Sequence, residues 1–162
     1  MRADVVIDDA RGAADIAAAR RLFEAYAASL DVDLCFQNFA HELATLPGDY
    51  APPAGCLLLA WTDHASDKAV GCVALRPLAS RTGEIKRLYV DPALHGEGIG
   101  RALADAVIAR ARMIGYDEVK LDTLATMGRA RALYASLGFR ECAAYYDNPL
   151  PGVAYMSLAL SR

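Results

Sequence analysis

Residues 95–103, HGEGIGRAL, place Gly96, Gly98 and Gly100 at alternate positions directly before an amphipathic run. Glycine is costly to order and a poor helix former, so three of them ahead of a helix constrain this turn more than any other stretch of the chain. The first N–H groups of a helix have no intrahelical partner and carry a partial positive charge, and glycine removes the side chains that would hold an anion away. The spacing therefore points to a phosphate-bearing molecule lying against bare backbone. A P-loop requires Gly-Lys-Ser/Thr where this chain has Gly100-Arg101-Ala102. A dinucleotide loop requires G-x-G-x-x-G directly after its strand. Here the third glycine would fall on Arg101 or Leu103, and residues 91–95 intervene after strand residue Val90.

The helix after the turn is marked by Ile99, Leu103, Val107, Ala111 and Ile114 on one face, with Gly115 as a left-handed cap. Upstream, residues 4–8 (DVVID) form a short strand. Ile16, Ala19, Phe23, Tyr26 and Leu30 recur at three- and four-residue steps, which predicts an amphipathic helix with Asp15 capping its start. Phe36, Phe39, Leu43 and Leu46 repeat that spacing until Pro47-Gly48 ends a second helix. The period then changes. CLLLAWT (56–62), AVGCVALRP (69–77) and GEIKRLYV (83–90) are strand-like, and the polar TDHASDK suits a hairpin loop. EVKLDTL (118–124) is another strand. Met127, Ala130, Leu133, Tyr134 and Leu137 mark a short helix closed by Gly138, and FRECAAYY and GVAYMSLAL form a last strand pair joined by DNPLP. The order βααβββαβαββ predicts an α/β fold with a mixed, mostly antiparallel sheet flanked by helices, in one domain over residues 1–162.

Composition narrows the function classes. A formal net charge of -3 gives no electrostatic reason to expect nucleic acid. No apolar run is long enough to cross a bilayer, and MRADVVIDDARG has acidic residues where a signal peptide has its apolar centre. Cys35, Cys56, Cys72 and Cys142 form no Cys-x-x-Cys pair, and three sit in apolar runs, as core thiols do in a reducing cytosol. His41, His64 and His95 fall in no zinc-ligand spacing, so no metal is expected. The expectation is a cytoplasmic protein without a nucleic-acid or membrane partner.

The run LYVDPALHGEGIGRAL resembles the acetyl-CoA-binding motif of the GNAT superfamily of N-acetyltransferases. There the pattern is Gln/Arg-x-x-Gly-x-Gly/Ala between a strand and a long helix; here it reads His95-Gly96-Glu97-Gly98-Ile99-Gly100. The element order matches along most of the chain, and ALYASLGF (132–139) looks like the family's second conserved helix and following strand. Two positions depart from the pattern. His95 replaces the usual Gln or Arg, and Met127 stands where many members carry Asn, seven residues before Tyr134.

The resemblance implies acetyl-CoA as donor, with backbone N–H groups from Gly96 to Arg101 facing the pyrophosphate. Arg101 adds charge there, or is a solvated first-turn arginine. The strand edge at Leu88, Tyr89 and Val90 would hold the pantetheine arm, and the N–H of Leu88 would face the acetyl oxygen. Tyr134 would protonate the departing thiolate; its phenol, near 10, lies close to a thiol near 8.5. The alternative for Tyr134 is a plain place on the helix's apolar face. Histone-acetylating members carry a general base at the offset of Glu84 from His95. Period two puts Glu84, Lys86, Leu88 and Val90 on one face, near the reacting end. A glutamate ordinarily ionises near 4.3 and an alkylamine near 10, so a base in this place needs partial burial or a water relay. A glutamate paired with Lys86 or Arg87 at the cleft rim reads equally well.

The family's acceptor pocket is built from the first two helices, their connection and the last hairpin, here 30–39, 46–53 and 145–155. Asp31, Asp33 and Asp49 suit a cationic amine or a solvated loop. Tyr146 and Asn148 are the pocket candidates, although the same hairpin could serve a homodimer contact. The function expected is N-acetyl transfer from acetyl-CoA to the amine of a small molecule or amino-acid-like acceptor, by direct attack and without a cysteine nucleophile. Two alternatives stand beside it: an acyl-CoA-binding sensor or structural domain with little catalysis, and a protein or peptide N-acetyltransferase.

Overall fold

The computed structural model describes residues 5–30, 34, 38–62, 68–124 and 126–160. Its elements are β1 (Val5–Asp9), α1 (Gly12–Leu30), α2 (Phe39–Thr45), β2 (Cys56–Thr62), β3 (Ala69–Ala79), β4 (Thr82–Val90), α3 (Ile99–Ile114), β5 (Glu118–Thr123), α4 (Gly128–Ser136), β6 (Arg140–Cys142) and β7 (Ala154–Ala159). Single 3-10 turns lie at Gly48–Tyr50 and Pro92–Leu94. This is the order expected from the sequence. The strands form one sheet, β1-β2-β3-β4-β5-β7-β6. Among the described residues only the β4–β5 pairing is parallel; the others are antiparallel.

The central strands are apolar at consecutive positions because both faces of the sheet are covered. On one face α3 buries Ile99, Leu103, Val107 and Ala111 against Leu58, Val73, Leu75, Ile85, Val119 and Leu121. On the other, α1 buries Ala19, Leu22 and Phe23 with Tyr50 against Leu57, Leu59, Cys72 and Ala74. Gly115 ends α3 at φ 108, taking bonds back to Ala111 and Arg112. Asp15 does not precede its helix as a cap. It lies inside the first turn, because α1 starts at Gly12, and its Oδ2 accepts from the Arg11 N–H at 2.8 Å. Helix α2 is shorter than expected, starting after Asn38 at φ 57; Phe36 lies outside the described residues.

Two irregularities shape the site. Strand β4 carries a β-bulge: Lys86 opposes Ala74 and Tyr89 opposes Cys72, so Arg87 and Leu88 together face one residue of β3. Arg87 takes φ 64 there. The bulge overturns the expected shared face. Glu84 and Lys86 lie on the α1 side, opposite Arg76 and Ala74, whereas Leu88 and Val90 pack with the α3-side core. In addition, β4 and β5 pair only over Thr82–Glu84 with Glu118–Lys120 and then part. That parting frees the β5-facing edge of β4 beyond Glu84.

The expected strand 139–146 is also shorter, ending at Cys142. The chain leaves the sheet edge there, and the hydroxyls of Tyr145 and Tyr146 reach the carboxylates of Glu84 and Asp122 on the α1 face.

Candidate functional site

The glycine turn connects β4 to α3. Gly96 and Gly98 take φ 89 and 86, and Gly98 is the residue before the first helical one. Any side chain there would have to enter the left-handed region, which favours glycine. The first intrahelical bond runs from the Ala102 N–H to the Gly98 carbonyl at 3.1 Å. The N–H groups of Ile99, Gly100 and Arg101 precede it and are available to an anion. Two neighbours are already engaged: the Glu97 N–H donates to the Leu94 carbonyl at 3.3 Å and the His95 N–H to that of Pro92 at 3.2 Å. The turn thus spends the Glu97 donor on its own closure. The His95 ring instead sets Nε2 3.1 Å from the Val90 carbonyl.

A cavity of about 710 Å³ opens at this turn. It brings together Leu88, Tyr89, Val90, His95, Gly96, Gly98, Ile99, Gly100, Arg101 and Met127. Glu97 does not line it. The wall that the sequence left unassigned comes from α1 and from the start of α4: Tyr26, Ser29 and Leu30 on one side, Thr126, Arg129, Ala130 and Leu133 on the other. Tyr26 and Leu30 had the signature of an ordinary apolar helix face, so only the tertiary fold could place them here. The Arg101 side chain turns along the surface, donating to Ser136 Oγ at 3.2 Å and lying 4.0 Å from Asp105. What Arg101 leaves at the turn is its backbone N–H.

A second, much smaller cavity of about 10 Å³ adjoins the first and shares Tyr26, Leu88 and Met127 with it. It lies where β4 and β5 part, and Lys86, Arg87, Asp122 and Tyr134 complete its polar lining among the described residues. Tyr134 is 6% exposed and its ring centroid is 5.4 Å from that of Phe139. Burial pushes its phenol well above the usual range, and the Tyr26 and Asp122 charges push the same way. The group therefore stays protonated at neutral pH. Met127 does not offer an amide here; its sulfur accepts from the Leu124 N–H at 3.5 Å.

Beyond the small cavity, three cations and three carboxylates interlock. Glu84 is 1% exposed. Its Oε1 accepts from Arg76 Nε at 2.9 Å, its Oε2 accepts from the Tyr145 hydroxyl at 2.7 Å, and Lys86 Nζ is 3.8 Å away. Glu84 is buried rather than at the cleft rim, both its oxygens are held, and it lines neither cavity. Lys86 also faces Asp122 at 3.9 Å. Burial draws the Lys86 ammonium below the ordinary lysine range, with Glu84 and Asp122 opposing it. Arg87 donates to both oxygens of Glu42 at 2.9 and 2.8 Å, beneath the rings of Tyr26 and Phe39.

Tyr146 and Asn148 both converge on Asp122. The Tyr146 hydroxyl donates to Asp122 Oδ2, and Asn148 Nδ2 lies 2.8 Å from that hydroxyl and 3.4 Å from the same carboxylate oxygen. The rings of Tyr145, Tyr146 and Tyr155 meet at 5.3–5.6 Å, and the Tyr155 hydroxyl donates to the Tyr146 carbonyl. Asp122 was missed in the sequence because it alternates with buried Val119 and Leu121 and so looks like the wet face of a strand. Asp49 lines a separate cavity of about 330 Å³ with Arg76, Glu42 and His41, while Asp31 and Asp33 lie outside the described residues.

Burial pushes the Cys56 thiol up to about 12 and that of Cys72 further still, which suits neither for nucleophilic attack. Cys35 lies outside the described residues. Among the described residues no group of three or more His, Cys, Asp or Glu could hold a metal ion, and no helix is long and apolar enough to cross a membrane.

The chain matches the model of the acetyltransferase (GNAT) family over residues 17–139. A Schizosaccharomyces pombe relative, named an uncharacterized N-acetyltransferase, is 40% identical over 144 residues, which is 88% of this chain and 87% of that one. The N-acetylaspartate synthetase of Danio rerio is 34% identical over 113 residues, covering 69% of this chain but 39% of its own length. Among solved structures, a Salmonella typhimurium protein determined with its cofactor acetyl-CoA shares the fold with a TM-score of 0.66, at 22% identity, over 97% of this chain and 94% of its own.

Proposed function

The chain belongs to the acetyltransferase (GNAT) family, and from that premise we propose which acceptor it serves and which residues do the work. It is an N-acetyltransferase whose donor is acetyl-CoA. The acceptor we propose is the primary amine of a small molecule or amino-acid-like compound, attacking directly and without a covalent enzyme intermediate. The observation that carries this reading is the 710 Å³ cavity running from the bare backbone at the start of α3 to Leu88, with a small second cavity, lined by Tyr134, that shares Tyr26, Leu88 and Met127 with it where β4 and β5 part. The similarity to the N-acetylaspartate synthetase of Danio rerio supports an amino-acid acceptor.

The donor supplies an acetyl group activated as a thioester. In this reading the N–H groups of Ile99, Gly100 and Arg101 hold its pyrophosphate, aided by the fixed positive end of α3. The freed edge of β4 at Leu88, Tyr89 and Val90 aligns the pantetheine arm, with the His95 ring and Met127 in the same wall. The Leu88 N–H stabilises the carbonyl oxygen as charge develops on it. Tyr134 gives its proton to the leaving sulfur. Glu84 anchors the ionic network under the acceptor side, and Tyr146 and Asn148 border the acceptor. We take residues 1–162 as one acyltransferase domain acting in the cytoplasm.

The test is calorimetric titration with coenzyme A together with thiol release from acetyl-CoA over a panel of small amines, L-amino acids including aspartate, and short peptides. Thiol release with a small amine supports the reading. Tight coenzyme A binding without turnover on any acceptor returns the sensor alternative, and turnover confined to peptides returns the peptide alternative. No heat with coenzyme A from folded protein overturns all three.

A further inference from the structure

We propose that the carboxylate of Asp122 is the group that takes the proton from the acceptor amine, an inference that rests on the N-acetyltransferase reading above. Among the described residues Asp122 is the one carboxylate lining the small cavity at the parting of β4 and β5, and that cavity also holds Tyr134 and Leu88. Its volume of about 10 Å³ is near the lower limit for a single water, roughly 10–15 Å³. The room is therefore that of one nitrogen or one relaying water, between a carboxylate on β5 and a phenol on α4. A base and an acid facing the same small space is the arrangement that acyl transfer to an amine requires.

Glu84 does not compete for this role. It lines neither cavity, and Arg76 and Tyr145 hold its two oxygens. Asp122 is held differently. Oδ2 carries the bonds from Tyr146 and Asn148, whereas Oδ1 has Lys86 at 3.9 Å, beyond hydrogen-bond length. Oδ1 is the oxygen placed to accept a proton. The orienting groups, Tyr146 and Asn148, hold Oδ2 from behind and line neither cavity; in the reading above their segment also borders the acceptor. Facing Asp122 from the packed elements are Lys86 and, across the small cavity, Arg87 of β4, Tyr26 of α1, Tyr134 of α4, and Tyr145, Tyr146 and Tyr155 around the β6–β7 connection.

The step balances as follows. The ammonium gives one proton to Asp122 Oδ1, which later passes it to solvent. The free amine forms the C–N bond as the C–S bond breaks. The thiolate takes the Tyr134 proton, and Tyr134 recovers one from the nitrogen of the new amide. The products are the N-acetyl compound, coenzyme A thiol and one proton.

The experiment compares Asp122→Asn with wild type on ethylamine and on trifluoroethylamine, which has nearly the same shape but is a far weaker base and is already neutral at the assay pH. The expected loss in kcat is on the order of a hundredfold or more for ethylamine, with a much smaller loss for trifluoroethylamine and an unchanged coenzyme A affinity by calorimetry. Glu84→Gln, a change in the supporting network, should lower both amines alike. Equal losses on the two amines in Asp122→Asn, or no loss, overturn the proposal. A second readout needs no turnover: ultraviolet titration of the tyrosines. Removing the Asp122 charge should let the phenols that face it, Tyr155 among them, ionise at lower pH; an unchanged titration overturns the placement. Failure of the small-amine reading looks different, since wild type then releases no thiol with either amine, and the phenol titration alone decides the place of Asp122.

Discussion

Arg87 grips Glu42 with two hydrogen bonds of 2.9 and 2.8 Å across 45 residues of sequence, and it does so from a bulge in β4 at φ 64. The pair ties α2 to the strand that ends at the glycine turn. The Arg87 side chain is 2% exposed and lies between the Tyr26 and Phe39 rings. Glu42→Ala would leave a buried guanidinium without its partner, which costs about 3–5 kcal/mol when one member of a buried ion pair is removed. Urea unfolding checks this. Arg87→Lys should lose a comparable part of that stability, because an ammonium cannot reproduce the two-pronged grip.

The same pair sets a pH dependence. Burial raises the Glu42 carboxyl, but the Arg87 hydrogen bonds and charge outweigh it and leave the group below its ordinary value of 4.5. Asp9 is likewise lowered from 3.8, chiefly by its bond to Arg110. A carboxyl lowered by folding stabilises the protein in full above its unfolded value, and that stability is lost as pH falls through the folded value. The urea midpoint should therefore drop as pH falls through and below the ordinary values of 4.5 and 3.8, and Glu42→Gln should flatten part of the drop. Parallel curves for the two proteins would remove the pair from the account.

Much of the architecture was legible because β2 to β4 carry consecutive apolar residues and the glycine turn separates a strand from a periodic helix. The bulge at Arg87 was not. Period two holds only while alternation is unbroken, and Lys86-Arg87-Leu88 contains no glycine to mark a break. The left-handed residue is held by Glu42, a tertiary contact no local pattern carries. Tyr145 and Tyr146 read as strand residues for a related reason. Their β propensity is real, but their hydroxyls bond to Glu84 and Asp122, and those bonds take the chain off the sheet edge. Asp122 was hidden by the same event, since the tyrosines that cover it come from residues 145–155.

The glycines of the turn should separate stability from binding. Gly98 is left-handed, so Gly98→Ala should cost about 1–2 kcal/mol of stability. Gly100 has no such restriction, and a Cβ there would meet only Val90 Cγ2 at 3.7 Å and Leu133 Cδ2 at 3.8 Å, ordinary contact distances. Gly100→Ala should be neutral or stabilising by up to about 1 kcal/mol through helix propensity. Yet the methyl would project beside two residues of the cavity wall, so coenzyme A affinity should fall by about tenfold or more, equivalent to about 1.4 kcal/mol. Calorimetry and thermal unfolding on the same variant check the split. A variant that is destabilised but binds normally would place the phosphate elsewhere.

Tyr134→Phe isolates the acid. The ring packs on Phe139 and fills the α4 face of the small cavity, and phenylalanine keeps that packing. Stability and coenzyme A affinity should therefore change little. The phenol is held protonated by burial and by the Tyr26 and Asp122 charges, so it is present as a donor across the neutral range, while its raised value makes the transfer to the leaving thiolate more uphill than between an ordinary phenol and thiol. Removing it should lower kcat by about 10²–10⁴ while KM for acetyl-CoA stays near the wild-type value, because the proton moves only as the C–S bond breaks. A loss confined to KM would instead make Tyr134 part of the cavity wall.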